Sequence, residues 1–183
     1  GTISEASLDF DAGHADIMAS FSSRGANGSQ KLLDIVKPNV TAPGRAIWAA
    51  YHQGDGGDGT YTYNVIQGTS MSSPHVAGAG ALMVALHPEW TPAQIESALM
   101  TTANSNVLND DGSNLATPFA QGSGAILLGN AGQAGLVLDV TEAEFAAADP
   151  AAGGDPKTLN IASLGNSQCL QECSWTRVVS STQ

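Results

Sequence analysis

The longest apolar stretch of the chain runs from Val76 to Leu86, where alanine, leucine, methionine and valine follow one another with only Gly78 and Gly80 between them. No phase of a 3.6-residue repeat is polar, so the segment predicts a helix buried on all sides rather than an amphipathic surface helix. Ser73 and Pro74 supply its start, serine as the N-cap and proline at the first helical position, where a missing N–H is harmless. The two glycines lower helix propensity but let neighbouring backbone approach closely. His87-Pro88 ends the helix. Thr91-Pro92-Ala93-Gln94 then has the form of a capping box and opens a second, amphipathic helix with Ile95, Ala98, Leu99 and Ala103 on one face.

Ahead of these helices the pattern changes to short β-branched runs. Ile35 to Gly44, interrupted by Pro38 and Pro43, predicts a short strand leaving a sheet through a turn. Tyr63-Asn64-Val65-Ile66 predicts another. Such runs alternate with helices from Phe21 to about Asp139, which gives an α/β class. Beyond that point the small, turn-rich stretch from Ala146 to Pro156 reads as a boundary. Trp175-Thr176-Arg177-Val178-Val179 then predicts a single further strand, too little for a domain of its own.

Composition narrows the function classes. At 183 residues and 42% apolar content the chain holds one cored domain plus a small appendage. Six basic against seventeen acidic residues, a net charge of -11, is the wrong sign for nucleic acid or an anionic membrane surface. No apolar stretch is long enough to span a bilayer, and Gly1 to Phe10 lack the basic start and apolar run of a signal peptide. The acidic loop Gly54-Asp55-Gly56-Gly57-Asp58-Gly59 and the stretch Asn109-Asp110-Asp111-Gly112 lack the spaced carboxylates of a calcium loop and read as exposed turns. No cofactor or metal is predicted. Cys169 and Cys173 read as a local disulfide or as free thiols, and no histidine follows His87 to complete a zinc site.

Candidate chemistry concentrates at Gly68-Thr69-Ser70-Met71-Ser72-Ser73-Pro74. A serine nucleophile needs a sharp entry into a helix, so that its Oγ is exposed while backbone N–H groups at the helix start face a developing oxyanion. Tyr63 to Ile66 is the strand-like run, Gly68 permits the turn, and Ser70 arrives just before the buried helix. Ser72 stands where an α/β-hydrolase elbow has its second glycine, which excludes that motif.

The string Gly68 to Gly78 closely resembles the nucleophile signature of the subtilase family of serine proteases. The likeness extends to Phe21-Ser22-Ser23-Arg24-Gly25, to Val36 through Gly44, to His87 through Ala103, and to the stretches Gly122-Ser123-Gly124-Ala125 and Gly135-Leu136-Val137-Leu138-Asp139. The last two are similar to the close of the protease domain in large members with an inserted protease-associated domain. The resemblance implies a subtilisin-like three-layer fold with a mostly parallel sheet, partial here, and an Asp-His-Ser triad. Ser70 is then the nucleophile and its own N–H an oxyanion donor, with Gly68, Thr69 and Met71 beside it. The triad aspartate and histidine, and the family's asparagine oxyanion donor, belong to upstream segments that this sequence does not match. His75 lies well inside the long helix and reads as a core histidine rather than a base; His14 and His52 sit in loop-like contexts.

The resemblance therefore implies four regions: an unassigned lead-in at 1–18, the nucleophile-bearing half of a catalytic domain at 19–145, a linker at 146–158, and the opening of a fibronectin-III-like domain at 159–183. The implied parent is a secreted endopeptidase acting on proteins or peptides. This chain, without the upstream part of the same protease, is expected to be inactive. Two readings compete with it. One is a subtilase-like protein that binds peptides or partners without cleaving them. The other is an autonomous structural module, which half an open sheet disfavours by leaving a raw edge and an uncovered core face.

Overall fold

The computed structural model describes residues 15–26, 34–52 and 61–183. Most of the lead-in, His14 and the loop Gly54 to Gly59 lie outside the described residues. The fold is a mixed α/β arrangement. Strands β1 (Ile47–His52) and β2 (Tyr61–Ile66) form an antiparallel ribbon in which Ile47 faces Ile66 and Trp48 faces Val65. Helix α1 (Thr69–Leu86) follows directly, then α2 (Pro92–Thr101), two single-turn helices α3 (Pro118–Gln121) and α4 (Leu128–Ala131), strand β3 (Leu136–Val137), helix α5 (Glu142–Ala147) and strand β4 (Ser180–Ser181). The last strand returns to pair antiparallel with β3.

The expected mostly parallel sheet is not formed among the described residues, whose two sheets are small and antiparallel. Parallel pairing is limited to single bridges, Ile17 with Leu108 and Thr41 with Ala125. A parallel strand needs neighbours in register along its length, and each of these segments finds one residue only. Residues 34–44 consequently form an irregular strap instead of the expected strand, with Pro38 and Pro43 offering no N–H.

Among the described residues two apolar clusters hold the chain together. The larger joins Ala79 and Met83 of α1 to Ile95, Ala98 and Leu99 of α2, with Ala131, Ala134 and Val137 beneath and Trp90, Ile126 and Leu128 at its margin. The smaller contains Met18, Val107, Ala116 and Ala120. Around the first cluster polar groups are matched to backbone. Thr91 accepts from the Gln94 N–H at 3.1 Å and donates to Asp139 Oδ1 at 2.7 Å, while the buried Ser97 hydroxyl accepts from the Leu138 N–H at 2.9 Å. The capping box read from the sequence is present, with the Gln94 side chain accepting from the Thr91 N–H.

Helix α1 differs from its prediction in where it starts and in how much of it is buried. It begins at Thr69, not at Ser73, with Gly68 as N-cap and Pro74 inside the helix. The serine-proline pair reads as a start signal, yet proline obstructs only the turn behind it, and here that turn is itself the helix beginning. The helix is also not buried on all sides. Ala79 and Met83 alone are buried, and Leu82 is 59% exposed, because the described residues pack against one face only. His75 is accordingly exposed, not a core residue; its Nδ1 lies 2.7 Å from the Met71 carbonyl oxygen. His87 caps the far end, stacks on Trp90 at 3.8 Å and donates through Nε2 to the Gly132 carbonyl at 3.0 Å.

The stretch from Ala146 to Pro156 is ordered into short turns. Thr141 and Glu144 form a second capping box at the start of α5, and the side chains of Asp149 and Asp155 cap the two following 3-10 turns. The tail holds no strand over Trp175 to Val179 and no fibronectin-like sheet. Instead the side chain of Asn160 accepts from the Val178 N–H at 2.8 Å and donates to the Val178 carbonyl at 2.9 Å, taking the place of a neighbouring strand. Arg177 donates to the carbonyls of Ile161, Ser163 and Lys157, which gathers the tail into a loop cluster. Cys169 and Cys173 are joined by a disulfide. Lys157 ties this cluster to the strap, 2.9 Å from Asp155 and 3.3 Å from Asp34, and the Ser167 N–H donates to Asp34 at 2.6 Å.

Candidate active site

Strand β2 ends at Ile66, and two residues later the chain turns. Gly68 has φ 153° and ψ 162°, a backbone region open essentially to glycine. The Met71 N–H closes back on the Gly68 carbonyl at 3.0 Å, and α1 is under way. Ser70 is its second residue and is exposed. The first N–H groups of a helix have no partners within it, and the aligned peptide dipoles make that end electropositive. A hydroxyl at this position thus sits beside donors suited to an oxyanion. Thr69 is exposed too, while Gly68 and Met71 are half-buried against the turn.

The turn is braced from behind by the strap. The Gly68 N–H donates to the Gly44 carbonyl at 2.8 Å, and the Ser72 hydroxyl donates to the Ala42 carbonyl at 3.0 Å. The strap is itself anchored: the Thr41 N–H donates to Gly124 at 2.8 Å, and Ile126 and Ser123 donate to Thr41 and Asn39 at 3.1 and 2.9 Å. Gly122 makes that approach possible, since a Cβ on it would collide with the backbone of Pro38 and Asn39. Beneath the first turns of α1 lies a cavity of about 630 Å³ walled by Met18, Phe21, Val40, Thr69, Ser72 and Val76 among others.

A comparison of the whole sequence with known families decides what this turn belongs to: the model of the subtilase family matches residues 11–124. The chain is a member of the subtilase family. Among curated proteins, subtilisin-like protease SBT1.6 of Arabidopsis thaliana is 39% identical over 159 residues, covering 80% of this chain and 20% of that protein. Subtilisin-like protease SBT4.4 of the same plant is 40% identical over 169 residues, covering 88% and 22%. Subtilisin-like protease Glyma18g48580 of Glycine max is 43% identical over 144 residues, covering 72% and 18%. The chain spans about a fifth of the length of the curated relatives it matches.

Within this subtilase segment the stretch from Tyr61 to Pro74 is folded as a strand-turn-helix. The braces on the turn, Gly44, Ala42 and Ser72, escaped the sequence argument. The only signal for them was the Pro43-Gly44 pair, which marks a turn without saying what it touches. The Asn109 to Gly112 stretch is a turn as well, where the Asp111 carboxylate accepts from the Ser113 and Asn114 N–H groups at 2.8 and 3.0 Å. Those bonds, that from the Asn114 backbone first, hold the Asp111 pKa below its ordinary value. Among the described residues no group of three or more His, Cys, Asp or Glu side chains is placed to hold a metal ion. No described helix is long and apolar enough to cross a membrane.

Proposed function

We propose that this chain is the nucleophile-bearing segment of a serine endopeptidase, and that Ser70 is its nucleophile. The observation that carries this reading is the exposed Ser70 at the second position of α1, immediately after the glycine-only turn at Gly68, in a chain of the subtilase family. In the reaction Ser70 Oγ attacks the scissile carbonyl carbon as a base takes its proton, and the carbonyl oxygen becomes the oxyanion that accepts from the Ser70 N–H. Collapse expels the amine, leaving an acyl-enzyme that water then hydrolyses. Gly68, Thr69 and Met71 flank the reacting centre.

The base and its orienting aspartate are contributed by a part of the protease upstream of the segment, as the family order Asp, His, Ser requires. The chain alone is therefore inactive or nearly so, since removing the base from a serine nucleophile costs several orders of magnitude in rate. Its substrates are proteins or peptides, and the protease is secreted, a setting in which the Cys169–Cys173 disulfide persists.

Fluorophosphonate labelling of the full-length protease tests the assignment. A single covalent adduct is expected on Ser70, lost in Ser70→Ala; a folded enzyme in which Ser70 stays unmodified leaves the non-catalytic, peptide-binding reading instead. For the isolated chain, casein hydrolysis is expected to match that of its Ser70→Ala control.

A further inference from the structure

The turn that delivers Ser70 is set against a neighbour outside the nucleophile motif. One bond, from the Gly68 N–H to the Gly44 carbonyl, lies two residues before Ser70; the other, from the Ser72 hydroxyl to the Ala42 carbonyl, lies two residues after it. The two bonds straddle the nucleophile and fix both sides of its turn to one short piece of strap. That piece is a firm reference, because Asn39 and Thr41 just before it are bonded to Ser123, Gly124 and Ile126.

The contact leaves no spare room. A Cβ on Gly44 would fall on the Ser72 hydroxyl and 2.9 Å from the Gly68 carbonyl oxygen. Gly44 is not among the glycines with positive φ, so its backbone conformation alone does not demand glycine. Clearance against the turn does. Gly68 itself is the reverse case, with nothing closer than 3.7 Å to its added Cβ and a φ that only glycine accepts. One glycine makes the turn possible and the other lets the strap close on it.

Taking Ser70 as the nucleophile, we infer that Gly44 and Ser72 are positioning residues, which set the direction of Ser70 Oγ by clamping its turn to the strap. A small displacement at the reacting centre is enough to slow an enzyme by about 100-fold. The inference concerns kcat and inactivation rate, not substrate affinity, since neither residue is exposed on the turn as Ser70 and Thr69 are.

The test uses the full-length protease and reads three quantities: the rate of fluorophosphonate modification of Ser70, the kcat and KM for a peptide substrate, and the thermal midpoint. Gly44→Ala is expected to slow modification and kcat by about 100-fold with KM little changed. Ser72→Ala, which removes one bond, is expected to slow both by about five-fold, and Ser72→Thr, which keeps the hydroxyl, to stay near wild type. Combining Gly44→Ala with Ser72→Ala is expected to be faster than Gly44→Ala alone, because deleting the hydroxyl frees space for the new methyl group. Ile95→Val, in the α2 core, serves as the stability control, lowering the midpoint without slowing modification. Wild-type rates in Gly44→Ala, or no recovery in the double variant, overturn the inference. If Gly44→Ala does not fold, equal rates in Ser72→Ala and Ser72→Thr overturn it. A wild-type enzyme never labelled at Ser70 overturns the nucleophile reading and this inference with it, an outcome distinct from normal labelling in the variants.

Discussion

Helices α1 and α2 follow each other across a short turn and invert the usual relation between apolar content and burial. From Val76 onward α1 contains nothing but apolar residues and glycine, yet Leu82, Val84 and Leu86 are all more than half exposed. The shorter α2 carries Gln94, Glu96, Ser97 and Thr101, and still buries Ile95, Ser97, Ala98, Leu99 and Met100. The difference lies in the company each helix keeps. The α2 helix is packed against α1, α4 and β3, with Ser97 bonded to Leu138 and the N-cap Thr91 to Asp139; beyond its strap-braced first turn α1 is buried only at Ala79 and Met83. Apolar patterning states how much surface a segment needs to bury, and the neighbours decide how much of that need is met.

The contrast can be broken most directly at Met83, the point where α1 does reach the core. It is 1% exposed, and Met83→Ala is expected to cost about 2–5 kcal/mol by urea denaturation, the range for emptying a packed methionine site. A loss below that range would mean the two helices are not joined through this contact. Thr91→Ala comes next. It removes the cap on α2 together with the bond to Asp139, for an expected loss of about 1–2 kcal/mol.

A smaller and more local effect is expected at the latch between the strap and the tail. Asp34 is held below its ordinary pKa of 3.8 first by the Ser167 N–H, and Asp155 below the same value first by the Lys157 side chain. Both folded values are depressed, so the latch contributes fully above about pH 4 and is lost as pH falls through the lowered values. Lys157, raised above 10.5 by Asp155 and Asp34, keeps its charge at every pH where the carboxylates matter. Proteolytic nicking of the tail should therefore rise only in strong acid for wild type, and at all pH values for Asp34→Asn; identical profiles would remove the latch from the account. The least effect is expected from Leu82→Ala, within about 0.5 kcal/mol in this chain because the side chain is largely exposed already. A loss several times larger in the full-length protease would show that further chain covers that face.

Legibility in the sequence followed the range of the interaction. The capping box at Thr91, the turn at Gly68 and the strand at Tyr63 to Ile66 are written in adjacent residues and appear where those residues predict them. The family was legible for the same reason, since its signature is one unbroken string. What escaped was settled between segments distant in sequence. Pro74 looks like a helix start until α1 is seen to begin at Thr69, with the strap braced against its first turn. Trp175 to Val179 looks like a strand until Asn160 is found bonding both the N–H and the carbonyl of Val178. The uncovered face of α1, and with it the exposure of His75, depends on partners no local pattern can name.

The pairing of β4 with β3 gives the chain a property that matters for handling it. Residues 138–179 leave the body at β3 and come back to the same strand, with Thr182 also donating through N–H and hydroxyl to Gly135 and Ala134 at 3.1 and 2.5 Å. They form a closed excursion with both feet on β3 and a further hold on the strap at Asp34, and the entropy of closing such a loop grows only slowly with its length. After a single cut in the excursion, the piece that runs to Gln183 keeps its bonds to β3 through β4 and Thr182, and a cut beyond Ser167 also leaves the Asp34 latch in place. An intact band after native electrophoresis would then be no evidence that the backbone is whole.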